Sequence, residues 1–337
     1  MNTDETEPNS PIEAPTLVDV ARQAGVNKVT ASIVLSGGQG NTRVSAVTRD
    51  RILQAAAQLR YQPNALARSL RSRRTHTIGF YVSGFADTRD LFTAAIISGL
   101  QKGCEENQND FLMHGTFSCR STDEVYTHLL NGKVDGLVIH VLKDDPLMPR
   151  LADSHLRVVA IADPVAFLPS VAVDDALGSR LLVEHLAQKG HRHVLYASAH
   201  IPLTSAIRRE QAFLEAARQQ EMEVTIQVVD PNKPIETEIL ALSSRRRPTA
   251  VVCWNDHTAY RVTAHIHALG LRVPEDFAVA GFDGISTLIP PLFQLTTIRA
   301  PWHEVARTAI SILCSHPGKP LPDETVLPVE LVSGETT

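Results

Sequence analysis

No run of eighteen apolar residues occurs in the 337-residue chain, which excludes a membrane-spanning helix. The opening stretch MNTDETEPNSPIEAP is acidic and has no apolar core, so residues 1–14 read as a disordered tail, not a secretory signal. The four cysteines (Cys104, Cys119, Cys253, Cys314) lie far apart, without a CxxC or a metal-ligand spacing. Dispersed thiols of this kind suit a reducing compartment and buried, apolar positions. The pairs His191/His193 and His265/His267 have no further ligands close in sequence, so no metal is expected. GxSxG, GxxxxGK(S/T), HExxH and a GxGxxG opening a helix are all missing. The adjacent carboxylates Asp144–Asp145 and Asp174–Asp175 fall in turns, poorly placed for shared acid–base work, and Asp174 reads as a helix cap. Neither catalysis nor a cofactor is expected.

What is present is an uneven charge. Residues 15–74 carry ten Lys/Arg against two Asp, a net +8 in a chain whose total is −5. A basic head on an acidic body is the electrostatic outline of a nucleic-acid binder, with a three-helix protein-interaction module as the alternative. Thr16 is placed to cap a helix through Leu17, Val20, Ala21 and Ala24, and Gly25 to end it. Asn27 can cap a second helix, KVTASIVL, after a very short turn. Two short helices so joined cross steeply, as in a helix-turn-helix. Ser45 can cap a third helix, AVTRDRILQAAAQLRY, whose Val47, Ile52, Ala55, Ala56 and Leu59 are expected to close a small core. Pro63 stops it, and Asn64 can cap a further short helix, ALARSLR.

These stretches, with YxPNxxARxL at a fixed distance from the helix-turn-helix and THTIGFYV after it, resemble the LacI/GalR family of bacterial regulators. The resemblance runs from Thr16 to about Val332. It implies a small all-α head (15–62), a hinge helix and linker (63–75), and a two-lobed effector and dimerisation domain (76–337). That domain would have the fold of type I periplasmic sugar-binding proteins, with lobe one near 76–166 and 298–326 and lobe two near 167–297 and 327–337. The second helix, from Asn27, would lie in the major groove, with Lys28 and Val29 at base-reading positions and Thr30 and Ser32 on phosphate or base edges. Thr16, Leu17, Tyr61 and Asn64 would contact the DNA backbone. Ala67 and Leu70 would enter the minor groove, Leu70 as an apolar wedge. Where the family usually carries arginine this chain has Ile33, which cannot donate to guanine; Arg43 offers a replacement phosphate contact.

From Thr77 short apolar runs alternate with amphipathic stretches, among them IGFYV, VDGLVIHV, VVAIAD, HVLYAS, AVVCWN and FAVAGFD, with a helix expected at TEILALSS. Such alternation predicts parallel sheets covered by helices, in two lobes, with ligand beyond the carboxyl ends of the strands. Those ends carry Ser83, Asp163, Asn255 and Asp283, and Arg209 is read as opening a helix. Taken singly each is a cap or a loop residue; together they face one rim. By resemblance Arg209, Asn255 and Asp283 hold effector hydroxyls, and Trp302 stacks on ligand unless it is a core tryptophan. The set suits a sugar, with a purine or nucleoside as the alternative. The reading is a cytoplasmic, homodimeric regulator, a repressor by family habit, on palindromic double-stranded DNA; a solute-binding protein for transport is the competing class. The ending SGETT shows no leucine heptads, so no coiled-coil tetramer is expected.

Overall fold

Thr16 closes the first helix onto itself. Its N–H donates to Asp19 (2.9 Å) while the Asp19 N–H donates back to its hydroxyl, a reciprocal cap for α1 (Leu17–Gln23). Gly25, at φ +61°, takes the left-handed turn that ends it. Asn27 Oδ1 accepts from the Thr30 N–H (2.7 Å) and starts α2 (Lys28–Leu35). Ser45 does the same for α3 (Ala46–Gln58) through Thr48, at 3.2 Å. Val20, Ala21, Ala31, Val34, Ile52 and Ala55 meet in one small core. Ala21 and Ala31 let the crossing helices approach closely. Val47, expected in that core, is 72% exposed, because it shares the outer face of α3 with Asp50, Arg51 and Gln54, away from Ile52 and Ala56. Asn64 accepts from the Ala67 N–H (3.3 Å) at the start of α4 (Ala65–Ser72).

The computed structural model describes residues 14–36, 44–83, 89–115, 120–229, 247–285, 293–315 and 321–337. Arg43, the helix expected at TEILALSS and residues 1–13 of the tail lie outside them. The chain divides into two units, one ending at Thr75 and the other starting at His76.

In chain order the second unit runs β1 (Thr77–Val82), α5 (Leu91–Glu106), β2 (Asp110–Met113), α6 (Thr122–Leu129), β3 (Gly136–His140), α7 (Met148–Ala152), β4 (Arg157–Ile161) and β5 (Ser170–Val173). It continues with α8 (Asp175–Gln188), β6 (His193–Ala199), α9 (Thr204–Gln219), β7 (Glu223–Val229), β8 (Ala250–Cys253), α10 (Asp256–Ala268) and β9 (Ala278–Asp283). β10 (Thr296–Arg299), α11 (Trp302–Cys314), β11 (Glu324–Leu327) and β12 (Glu330–Val332) complete it. The strands form two six-stranded sheets, ordered β11-β5-β4-β3-β1-β2 and β12-β10-β9-β8-β6-β7. All pairings are parallel except β10 with β12. Helices cover both faces of each sheet, which explains why β5 and β8 are buried along their whole length.

Because β5 pairs with β4 and β11, the chain leaves the first sheet after Val173, later than the expected 167. It returns after β10, whose pairing with β9 and β12 keeps residues 296–299 in the second sheet. α5 and α11 pack tightly on the first sheet. A Cβ on Gly99 would collide with the His303 carbonyl oxygen, and one on Gly103 would come within 2.8 Å of Ile310. Among the described residues no helix is long and apolar enough to cross a membrane.

Candidate functional site

The head presents its expected reading residues in two groups. Lys28 and Val29 are exposed on the first turn of α2, Val29 at 68%. Asn27, also exposed, spends its carbonyl on the cap and on the Thr30 hydroxyl, which donates to it at 2.9 Å. Thr16 is exposed, with its hydroxyl donating to Asp19 at 2.6 Å. Ser32 and Ile33 are half-buried one turn along α2. Leu17 and Tyr61 are half-buried against the helical core. Ala67 and Leu70 share one face of α4, three residues apart, and Leu70 is 84% exposed. Among the described residues none covers this leucine. Arg22, Arg49, Arg51, Arg60 and Arg68 are exposed around these positions.

In the second unit the carboxyl ends of the two sheets face each other across a cavity of about 530 Å³. Ser83, Asp163, Arg209, Asn255, Asp283 and Trp302 all line it. Parallel strands bring this about: β1, β4, β8 and β9 each end at the same rim of their sheet.

Arg209 is the hub. It is the sixth residue of α9, not its start as expected, because the helix begins at Thr204. Its position one turn and a half into the helix carries the guanidinium inward, where it is 3% exposed. Nε donates to Asp175 (2.8 Å), Nη1 donates to the Trp254 carbonyl (2.9 Å), and Asp283 lies 3.6 Å from Nη1. The guanidinium carbon stands 3.7 Å over the Phe282 ring. Burial alone would favour a neutral side chain, but Asp175 and Asp283 overcome it and raise the proton affinity of Arg209 further. Asp283, at the end of β9 with φ +136°, also accepts from the Trp302 indole N–H at 3.2 Å. Burial, then the Asp256 and Asp90 charges, push its carboxyl up to about 8 against the pull of Arg209.

Trp302 combines the two roles open to it in the sequence. It lines the cavity, yet it is 2% exposed and belongs to the main core. The Phe92 ring meets it at 84° with centroids 5.0 Å apart. Asp163 has both oxygens engaged: Oδ2 with His140 Nε2 (2.8 Å) and Oδ1 with the Ser205 N–H (2.8 Å). The second bond crosses from one lobe to the other and caps α9, whose own N-cap position, Leu203, offers no side-chain acceptor. Two more links cross the cleft: the Lys143 N–H donates to the Pro202 carbonyl (3.3 Å), and Arg208 forks onto Glu324. Asn255 caps α10 through the Thr258 N–H (2.9 Å), and Ser83 Oγ accepts from the Leu142 N–H (3.3 Å).

Several contributors escaped the sequence reading. Asp175, read as a turn residue, is buried and paired with Arg209; Asp174 does cap α8, through the Leu177 N–H at 2.8 Å. Asp256 lies beneath the rim, held by the Thr297 hydroxyl (2.6 Å) and the Gly284 N–H (2.8 Å), and burial raises it to about 6. His140 ends β3, so the strand-end logic used for Asp163 would have found it. Asp90 and Phe92, at the start of α5, had no such signal. The histidines of the first HxH pair serve the sheet: His191 bonds Thr249 (2.8 Å) and His193 bonds Thr225 (3.0 Å). Cys104 and Cys253 are buried thiols and Cys314 is half-buried.

Comparison with known proteins agrees with both halves. Residues 16–64 match the bacterial regulatory proteins of the lacI family, and residues 183–337 match the periplasmic binding protein-like domain. The HTH-type transcriptional repressor PurR of Vibrio vulnificus is 30% identical over 312 residues, covering 88% of this chain and 90% of its own. PurR of Photobacterium profundum is 30% identical over 311 residues, with the same coverage. The lac repressor dimer bound to operator and the anti-inducer ONPF superposes with a TM-score of 0.80, at 24% identity, over 96% of this chain and 99% of that one. The CelR–cellobiose complex gives 0.66 at 25% identity, over 96% and 100%. A relationship that spans the reading helices and the two-lobed body alike settles the assignment: the chain belongs to the lacI family of bacterial regulatory proteins and is a DNA-binding transcriptional regulator.

Proposed function

We propose that the protein acts in the cytoplasm as a homodimeric repressor on a palindromic operator, that a sugar controls it, and that it catalyses no reaction. Residues 15–62 read the DNA, 63–75 form the hinge, and 76–337 sense the effector and dimerise. The observation that carries the sensing role is the convergence of Ser83, Asp163, Arg209, Asn255, Asp283 and Trp302 on one interlobe cavity. Carboxylates, an amide and a hydroxyl beside aromatic walls suit vicinal hydroxyls and an apolar sugar face. The cellobiose bound to CelR, and the D-xylulofuranose bound to a structural neighbour at 21% identity, are consistent with this choice.

On the DNA side, Lys28 and Val29 read bases, with Asn27, Thr30 and Ser32 on nearby phosphate or base edges. Thr16, Leu17, Tyr61 and Asn64 set the register, and Ala67 with Leu70 occupies the minor groove. Ile33 can offer a thymine methyl only an apolar contact, so this helix reads fewer guanines than one with arginine there. A ligand in the cleft touches both lobes and so competes with, or adds to, the Asp163–Ser205 and Arg208–Glu324 links. Effector and operator must then alter each other's affinity by the same factor.

Selection of bound sites from random duplex DNA, followed by a sugar and nucleobase panel on the winning site, tests the whole reading. The expected result is a palindrome whose affinity changes with a sugar. Affinity that does not fall with salt would exclude the regulator's phosphate contacts, and a response to nucleobases alone would replace the sugar.

A further inference from the structure

The cavity wall is dominated by one sign of charge. Asp90, Asp163 and Asp283 line it, while Arg209 is the one lysine or arginine among its described lining residues. That guanidinium is already spent. It is sealed from solvent, bonded to Asp175 and the Trp254 carbonyl, and close to Asp283. Asp163 is likewise occupied on both oxygens, one of them by His140.

Asp90 stands apart from these closed networks: among the described residues only its Oδ2 is taken, by the Thr93 N–H (2.9 Å) and hydroxyl (3.0 Å) of its own helix cap. Asp283, by contrast, belongs to the Arg209 network. They come from opposite lobes, Asp90 from the cap of α5 and Asp283 from the end of β9. Both also line a side chamber of about 410 Å³, so they mark the wall between it and the main cavity. Burial first, and then the Asp256 and Asp90 charges, raise the proton affinity of Asp283, so the Asp90 carboxylate adds negative potential at this wall.

Resting on the reading that this cavity holds a sugar, we infer that it takes a sugar free of anionic groups, neither a phosphate ester nor a sugar acid, and that Asp90 is the residue that turns the anion away. A hydroxyl entering here donates to a carboxylate that can accept it. A phosphate or carboxylate would sit in a partly desolvated cleft beside the Asp90 carboxylate, with no lysine or arginine but the committed Arg209 among the described lining residues. Arg89 and Arg261 line the side chamber and not the main cavity. The regulator would accordingly report a sugar before kinase or dehydrogenase chemistry has made it anionic.

The test uses the full chain and isothermal titration against matched sets built on glucose, galactose and xylose: the free aldose, its phosphate ester and its aldonic acid. At least one free aldose should bind more tightly than its two anionic partners, by roughly tenfold or more for like charges in a partly desolvated cleft. Asp90→Asn should narrow that ratio. Asparagine caps a helix as well as aspartate does, so α5 keeps its start. An anionic member that equals or exceeds its own aldose in the unaltered protein overturns the proposal and leaves the sugar reading standing. A ratio untouched by Asp90→Asn overturns the role of Asp90. If no member of any set binds, the sugar reading and the proposal fall together.

Discussion

The head and the body keep their polar chemistry at different distances along the chain. In the head Thr16 with Asp19, Asn27 with Thr30, Ser45 with Thr48 and Asn64 with Ala67 each close a bond over three residues, all on exposed surface. In the body Arg209 reaches back 34 positions to Asp175 and forward 45 to Trp254, and Asp163 reaches 42 to Ser205. The first kind of bond sets helix ends and leaves side chains free for a large partner outside. Of the second kind, the Arg209 bonds are enclosed within the second lobe and the Asp163–Ser205 bond joins the two lobes at the cavity. A surface reader can be built from local rules, whereas an enclosed sensor needs long-range bonds that also stabilise the fold.

Removing the hub should press this contrast hardest. Arg209→Ala leaves Asp175 and Asp283 as buried carboxylates without their cation, which should cost about 3–5 kcal/mol of body stability and abolish the effector response. Urea unfolding checks it; a loss below about 1 kcal/mol would mean that the network binds ligand without supporting the fold. Gly99→Val forces α5 away from α11 and should cost about 1–3 kcal/mol by overpacking, read as a fall in Tm. An unchanged Tm would show that the two helices can part freely.

A pH series probes the same network more gently. The Asp283 carboxyl is raised to about 8, so its contribution to stability is full below the ordinary carboxylate range and is lost as pH rises through 8. Body stability should therefore decline over that window, and Asp283→Asn should make the decline shallower. An identical slope in the variant would remove Asp283 as its source.

In the head the effects should be smaller and local. Asn27→Ala deletes one cap and should cost about 1 kcal/mol, without moving the body's transition. Leu70→Ala should leave stability unchanged, since the side chain is exposed, yet weaken specific DNA binding far more than non-specific binding. Equal losses on both kinds of DNA would remove the wedge role.

The head was legible almost residue by residue. Its caps are short polar side chains at fixed offsets, and its core repeats at helical spacing. Val47 failed because its spacing from Asp50, Arg51 and Gln54 puts it on the outer face of α3, five residues and not a helical repeat before Ile52. In the body the strand ends were legible from apolar runs that terminate in a polar residue, which placed Ser83, Asp163, Asn255 and Asp283 at one rim. β5 was not, since SVAV is too short to announce a strand before the Asp174 cap, and the boundary between lobes moved with it.

By itself the sequence determined most of the order of helices and strands, the basic head and the polar strand ends. These follow from contacts within a few residues and from the period of apolar side chains. Only the tertiary structure decided that Arg209 is sealed between Asp175 and Asp283, that Asp163 caps a helix of the opposite lobe, and that Asp90 stands at the cavity wall. Such pairings depend on how elements distant in sequence come together, within the second lobe for Arg209 and between the lobes for Asp163. Burial then fixes which charges are neutralised and which remain for a ligand, and no spacing along the chain records that.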